Sequence, residues 1–87
     1  MVRVQLPRFL AEVTGGCRET TVEASTLEEV FSALEERFPG ILAKIQDGDT
    51  WTPVVVPTIN GVVPPEGLAA SIPDDAEVCL LPSFGGG

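Results

Sequence analysis

Val2, Val4 and Leu6 alternate with Arg3 and Gln5, the period-two pattern of a strand with one buried face. Pro7 ends the run, and Phe9-Leu10 is expected to tuck a loop beneath the sheet. After the Gly15-Gly16 turn, alternation resumes from Arg18 to Glu23 with Thr20 and Val22 inward. These stretches predict an N-terminal hairpin. Next, Leu27, Val30, Phe31, Leu34 and Phe38 recur at helical spacing, with Glu28, Glu29, Ser32, Glu35 and Glu36 opposite. Thr26 and Glu29 form a capping box at its start, and Pro39-Gly40 stops it. Ile41, Leu42 and Ile45 predict one further helical turn before a polar loop, Gln46 to Thr50.

Beyond Trp51, the run Val54 to Asn60 is rich in β-formers, and Asn60-Gly61 is a hairpin signal. Val62-Val63 continues briefly until Pro64-Pro65 ends pairing. Pro57 interrupts the run without an amide donor, so a bulge or an unpaired edge is expected there. The turn Pro73-Asp74-Asp75 announces a last strand, Glu77 to Leu81. The order strand, strand, helix, strand, short strand, strand implies an α+β layer with one core between sheet and helix.

Length and charge narrow the possibilities. Eighty-seven residues hold a single core. Thirteen acids against five bases give a net charge of −8, which leaves no basic stripe for nucleic acid and no attraction to an anionic membrane. Histidine is absent, which excludes histidine catalysis and histidine zinc sites. No apolar run is long enough to span a bilayer, and no signal peptide is visible. Cys17 and Cys79 are therefore expected as reduced thiols in the cytoplasm. Asp47-Gly48-Asp49 lacks the spacing of a calcium loop and reads as a turn, so no metal site is expected. No acid-base or nucleophile constellation suggests an enzyme.

The chain closes on Pro82-Ser83-Phe84-Gly85-Gly86-Gly87. Three glycines make a thin segment, able to thread a channel that any Cβ would block, and its chemical handle is the Gly87 carboxylate. With Thr26-Leu27 at the helix start, Asn60-Gly61, the acidic turn Asp74-Asp75-Ala76-Glu77, Val78-x-Leu80-x-Pro82 and Gly86-Gly87, the whole chain resembles the β-grasp, ubiquitin-like sulfur carrier proteins of molybdopterin, thiamine and cysteine biosynthesis. Family members usually carry Asp-Gly-Asp in the acidic turn, and this chain departs from that. The third glycine is a second departure: Gly86-Gly87 serves directly, or Gly87 is trimmed to expose Gly85-Gly86. The run Gly67-Leu68-Ala69 looks more like the cysteine-biosynthesis branch.

The resemblance implies a β-grasp (ubiquitin-like) mixed sheet of four to five strands on one main helix, residues 1–82, followed by a flexible Gly tail, residues 83–87. It implies no bound cofactor. An E1-like adenylating enzyme would use ATP and magnesium to activate the Gly87 carboxylate. A sulfur-donor protein or persulfide would convert it to a thiocarboxylate, and a sulfur-accepting synthase would take the sulfur. Gly85, Gly86 and Gly87 would thread the partner's active site. With Val78, Leu80, Val55 and Ile59 inward, alternation turns Val54, Val56, Thr58, Cys79 and Leu81 outward. If the last two long strands are neighbours, Val54, Val56, Cys79 and Leu81 form an apolar docking patch, with Phe84 extending it along the tail. The alternative is that Trp51 and its loop cover these residues. Cys79 is a small half-buried thiol or a site of transient adducts; Cys17 beside Gly15-Gly16 is simply exposed. Lys44 is the single lysine and so the single side chain open to self-conjugation. Arg8 and Arg37 form no phosphate site. Two other classes remain: a protein modifier forming isopeptide bonds, and a noncovalent interaction module with an inert tail.

Overall fold

The computed structural model describes residues 1–83. β1 (Val2–Gln5) pairs antiparallel with β2 (Glu19–Val22), Val2 opposite Val22 and Val4 opposite Thr20. Between them the expected loop is replaced by a 3₁₀ turn, Arg8–Leu10, and a one-turn helix, α1 (Ala11–Thr14). The helix ends where Gly15 adopts the left-handed conformation. Leu10 is fully buried under the sheet, as the sequence predicts, but through helical backbone.

α2 (Leu27–Arg37) crosses the inner face of the sheet. Leu27, Val30, Phe31 and Leu34 are buried on one stripe, while Phe38 caps the helix and is only half-buried. The Thr26 hydroxyl accepts from the Glu29 amide at 3.2 Å. Glu29 reaches back one residue further than a standard capping box, accepting from the Ser25 amide at 2.7 Å. Such a cap stabilises by about 1 kcal/mol.

Past the helix, Gly40 has a φ of 101°, which favours glycine, and the chain enters α3 (Leu42–Ile45). The Glu35 carboxylate gathers the Gly40 and Leu42 amides, the latter at 2.9 Å. The Leu42 amide and then the Gly40 amide hold this carboxyl below its ordinary range. Because the folded value is depressed, the contribution is complete above the unfolded value near 4.5 and is lost as pH falls through the folded one. Glu35→Gln is therefore expected to lower Tm at neutral pH, with the gap to wild type closing as pH falls below about 4.5 in a melting series. A gap that stays constant with pH would overturn this account.

The predicted polar loop is itself a small hairpin: β3 (Gln46–Asp47) and β4 (Thr50–Trp51) pair across Gly48, whose φ is 64°. β5 (Val55–Ile59) and β6 (Glu77–Pro82) then complete a four-stranded sheet in the order β2-β1-β6-β5. β1 and β6 run parallel, and the other neighbours are antiparallel, so the sheet is mixed. Pro57 stays in register opposite Leu80, with no bulge, on a strand whose other side is the sheet edge. Asn60 and Gly61 take φ values of 51° and 87°, a turn of the predicted kind. The expected short strand after it shrinks to one bridge, Ile59 to Val62, because Pro64-Pro65 cannot extend a ladder. The core joins the sheet's inner residues Val4, Val55, Val78 and Leu80 to α2, and Trp51 packs against it.

Candidate functional site: the outer sheet face beside the C-terminal end of β6

Alternation along β6 buries Val78 and Leu80 beneath α2 and turns Cys79 and Leu81 to the outer face. β5 lies alongside, with Val56 opposite Leu81 and Thr58 opposite Cys79. The pairing runs one step beyond the strands, since the Ser83 amide donates to the Val54 carbonyl at 2.9 Å. Val54 and Leu81 are 42% and 46% exposed, so they remain open to a partner, while Val56 and Cys79 are half-buried. The structure thus brings all four together, although Val54 sits in the turn before β5. Trp51 packs against the core, and Val54 and Leu81 are left uncovered by the described residues. Phe84, Gly85, Gly86 and Gly87 lie outside the described residues.

Thr58 lies on the outer face opposite Cys79, as alternation predicts, yet it is only 6% exposed, and its hydroxyl bonds to Cys79. Ile59, expected inward, is half-buried against the core.

The same face has a polar half. The parallel pairing of β1 with β6 sets Gln5 beside Cys79 and Arg3 beside Glu77. The Gln5 amide donates to the Glu77 carboxylate at 3.3 Å, and Asn60 Oδ1 accepts from the Glu77 amide at 3.0 Å. Sequence reasoning missed Gln5 and Thr58 as neighbours of Cys79; the outward alternation of Gln5 in β1 was the available signal. Burial first, then the Glu77 charge, push the Cys79 thiol up against the opposing Thr58 hydrogen bond. Cys79 is thus a protonated thiol at neutral pH, poorly suited to nucleophilic chemistry. Cys17 is half-buried, not simply exposed, and its thiol donates to the Glu19 carbonyl at 3.0 Å. Both thiols are free.

Lys44 is exposed on α3, and its carbonyl accepts from the Thr52 hydroxyl at 2.8 Å, which ties it to the loop leading into Val54. Arg37 donates to the Thr20 hydroxyl. Asp47-Gly48-Asp49 spans the β3–β4 turn, as expected. Among the described residues no group of three or more acidic or cysteine side chains could hold a metal, and no helix is long and apolar enough to cross a membrane.

A helix clasped by a mixed sheet whose parallel central strands are its first and last defines a β-grasp, ubiquitin-like fold. The model of the ThiS family matches residues 4–87, and the chain belongs to that family of sulfur carrier proteins. It is similar to CysO in the crystal structure of the Amycolatopsis orientalis BexX/CysO complex, at 26% identity over 100% of each chain, with a TM-score of 0.91. Mycobacterium tuberculosis CysO, described as an antigen, is 29% identical over 97% of this chain and 100% of its own, with a TM-score of 0.87. The small archaeal modifier protein 1 of Methanosarcina acetivorans is 25% identical over 99% of this chain and 95% of its own, with a TM-score of 0.79. No curated protein sequence matches the chain.

Proposed function

We propose that this protein carries sulfur as a thiocarboxylate on Gly87, loaded by an E1-like partner and delivered to a synthase in a cytoplasmic biosynthetic pathway. The observation that carries the reading is the ThiS family match, which runs through the β-grasp body to residue 87. A carboxylate is a poor electrophile, so activation comes first. One Gly87 oxygen attacks the α-phosphorus of ATP, with magnesium held by the partner, and pyrophosphate leaves. A persulfide sulfur then attacks the carbonyl carbon of the acyl-adenylate and AMP departs. A thiol cleaves the resulting acyl disulfide, freeing the thiocarboxylate and forming a disulfide with the donor's remaining sulfur. The carrier is a protein cosubstrate: no side chain of its own takes part, and it binds no cofactor.

The apolar outer face supports the partner role. Val54, Val56, Cys79 and Leu81 would dock the partner, with Phe84 beside them, while Gly85, Gly86 and Gly87 enter its active site. CysO of Amycolatopsis orientalis forms a complex with BexX, which favours a protein partner for this chain as well. Among the pathways, cysteine biosynthesis and a secondary metabolite fit the likeness to CysO best.

Intact-protein mass spectrometry after incubation with an activating enzyme, ATP and a persulfide donor tests the reading. The expected result is a gain equal to exchanging one oxygen for sulfur, located at Gly87 by fragmentation. No gain, or sulfur found on Cys17 or Cys79, would refute it. The likeness to a small archaeal modifier protein favours a second use of the same activated tail, an isopeptide bond to a lysine. That product appears in cells as high-mass adducts, whereas a carrier alone forms none.

A further inference from the structure

Among the described residues β2 forms an open edge of the sheet, with β1 as its neighbour on the other side. The direction of its backbone groups follows from β1. The Arg3 amide donates to Ala76 in front of β6, and the Leu6 amide donates to Arg18 at the start of β2. Arg3 and Gln5 therefore bond toward β6, and Val2, Val4 and Leu6 bond toward β2. Their partners Val22 and Thr20 point back at β1, so alternation turns the backbone of Glu19, Thr21 and Glu23 to the open side. The Glu19 carbonyl accepts the Cys17 thiol, and the three amides and the Thr21 and Glu23 carbonyls form a template for one more strand.

A groove runs beside this template. About 310 Å³ of space is lined by Val22, Glu23, Ala33, Glu36 and Arg37, between β2 and the last turns of α2. A second hollow of about 240 Å³ shares Val22, Glu23 and Arg37 with it. The side chains of the edge set the chemistry of an incoming strand. Glu19, Thr21 and Glu23 are exposed on the outer face, whereas Thr20 and Val22 point under the sheet. An added strand follows the same alternation. Its residues opposite Glu19 and Glu23 meet exposed carboxylates, that of Glu23 also lying 3.3 Å from the Met1 ammonium, and those opposite Thr20 and Val22 meet Val22 and Ala33 beside Arg37, whose guanidinium donates to the Thr20 hydroxyl.

A second copy of this chain is a poor occupant. Antiparallel self-pairing centred on Thr21 would set Glu19 against Glu23 twice, and like charges directly opposed destabilise a ladder. We propose that the open edge of β2 and its groove with α2 bind one extended segment of a partner protein, in which two apolar residues alternate within a pair of flanking basic ones. Backbone pairing supplies affinity, and the carboxylates and groove supply selection. This binding goes beyond sulfur carriage and is independent of the tail.

The test is an amide NMR and hydrogen-exchange titration of the full chain with the blocked peptide Lys-Val-Thr-Val-Lys. Shifts are expected along Glu19–Glu23 and at Ala33 and Arg37, with slowed exchange at the Glu19, Thr21 and Glu23 amides. The peptide Glu-Val-Thr-Val-Glu is expected to bind about tenfold more weakly, since two cross-strand attractions become repulsions. The double variant Glu19→Lys/Glu23→Lys, altered only at exposed positions, should reverse that preference. A chain lacking Gly86 and Gly87 should bind as wild type does, which separates this result from the thiocarboxylate test. Shifts confined to Val56 and Leu81, equal binding of the two peptides, or no shifts at millimolar peptide would overturn the proposal.

Discussion

Deleting Gly86 and Gly87 is expected to abolish sulfur loading completely while leaving the fold as it is. The deletion removes the proposed acyl carbon and the narrow approach to it, and Gly85 with Phe84 behind it becomes the new end. The core is assembled from Val2 through Leu80, and the last described backbone bond is that of Ser83 to Val54. Stability should therefore change by no more than ~0.5 kcal/mol, the usual range for a surface change. Mass spectrometry after incubation with the activating enzyme reads the first effect, and a thermal melt reads the second. A truncated chain that still acquires sulfur would end the proposal of terminal chemistry. Deleting Gly87 alone asks a finer question. It leaves Gly85-Gly86 as a two-glycine end, but shortens the reach by about 3.5 Å. Loading should then fall sharply if Gly86-Gly87 is the register used. Full loading of this shorter chain would show instead that Gly87 is dispensable and that Gly85-Gly86 is the register used.

The elements most legible in the sequence are those whose signals are local. Thr26 with Glu29, a stripe from Leu27 to Leu34 and Pro39-Gly40 specify α2 from both ends, because capping and helical spacing act within a few residues. The alternation of Val78, Cys79, Leu80 and Leu81 likewise assigns the two faces of β6. Short elements escape this reading. β3 and β4 have two residues each, too few to show a period, and α1 is a single turn. Pairing across the chain also escapes it. Only the parallel register of β1 with β6 sets Gln5 beside Cys79, and only the opposed register of β5 with β6 lets Thr58 bond to that thiol. Hence the outward direction of Thr58 was readable and its burial was not. The candidate patch was legible because alternation supplied Val56, Cys79 and Leu81, and the family resemblance supplied their adjacency.

Leu81→Asp carries the second large expected effect, and it tests the body of the protein and not its tail. Leu81 is 46% exposed and faces Val56 across β5 and β6, one residue before Pro82 and close to the start of the glycine segment. A partner that draws the tail into its active site must cover this position, and covering an aspartate there would desolvate a carboxylate against Val54 and Val56. Loss of such a central apolar anchor is worth ~2 kcal/mol, or about thirtyfold in affinity for the activating enzyme. A basic partner surface would blunt the loss and an apolar one would show it in full. Titrating the activating enzyme in an ATP–pyrophosphate exchange assay measures the change as a raised KM for the carrier. The maximal rate should be preserved, because the reacting carboxylate is untouched. Fold is checked by melting, where an exposed outer-face substitution should cost little. An unchanged KM would show that the partner reads another surface, and the acidic β2 edge would then be the next place to look.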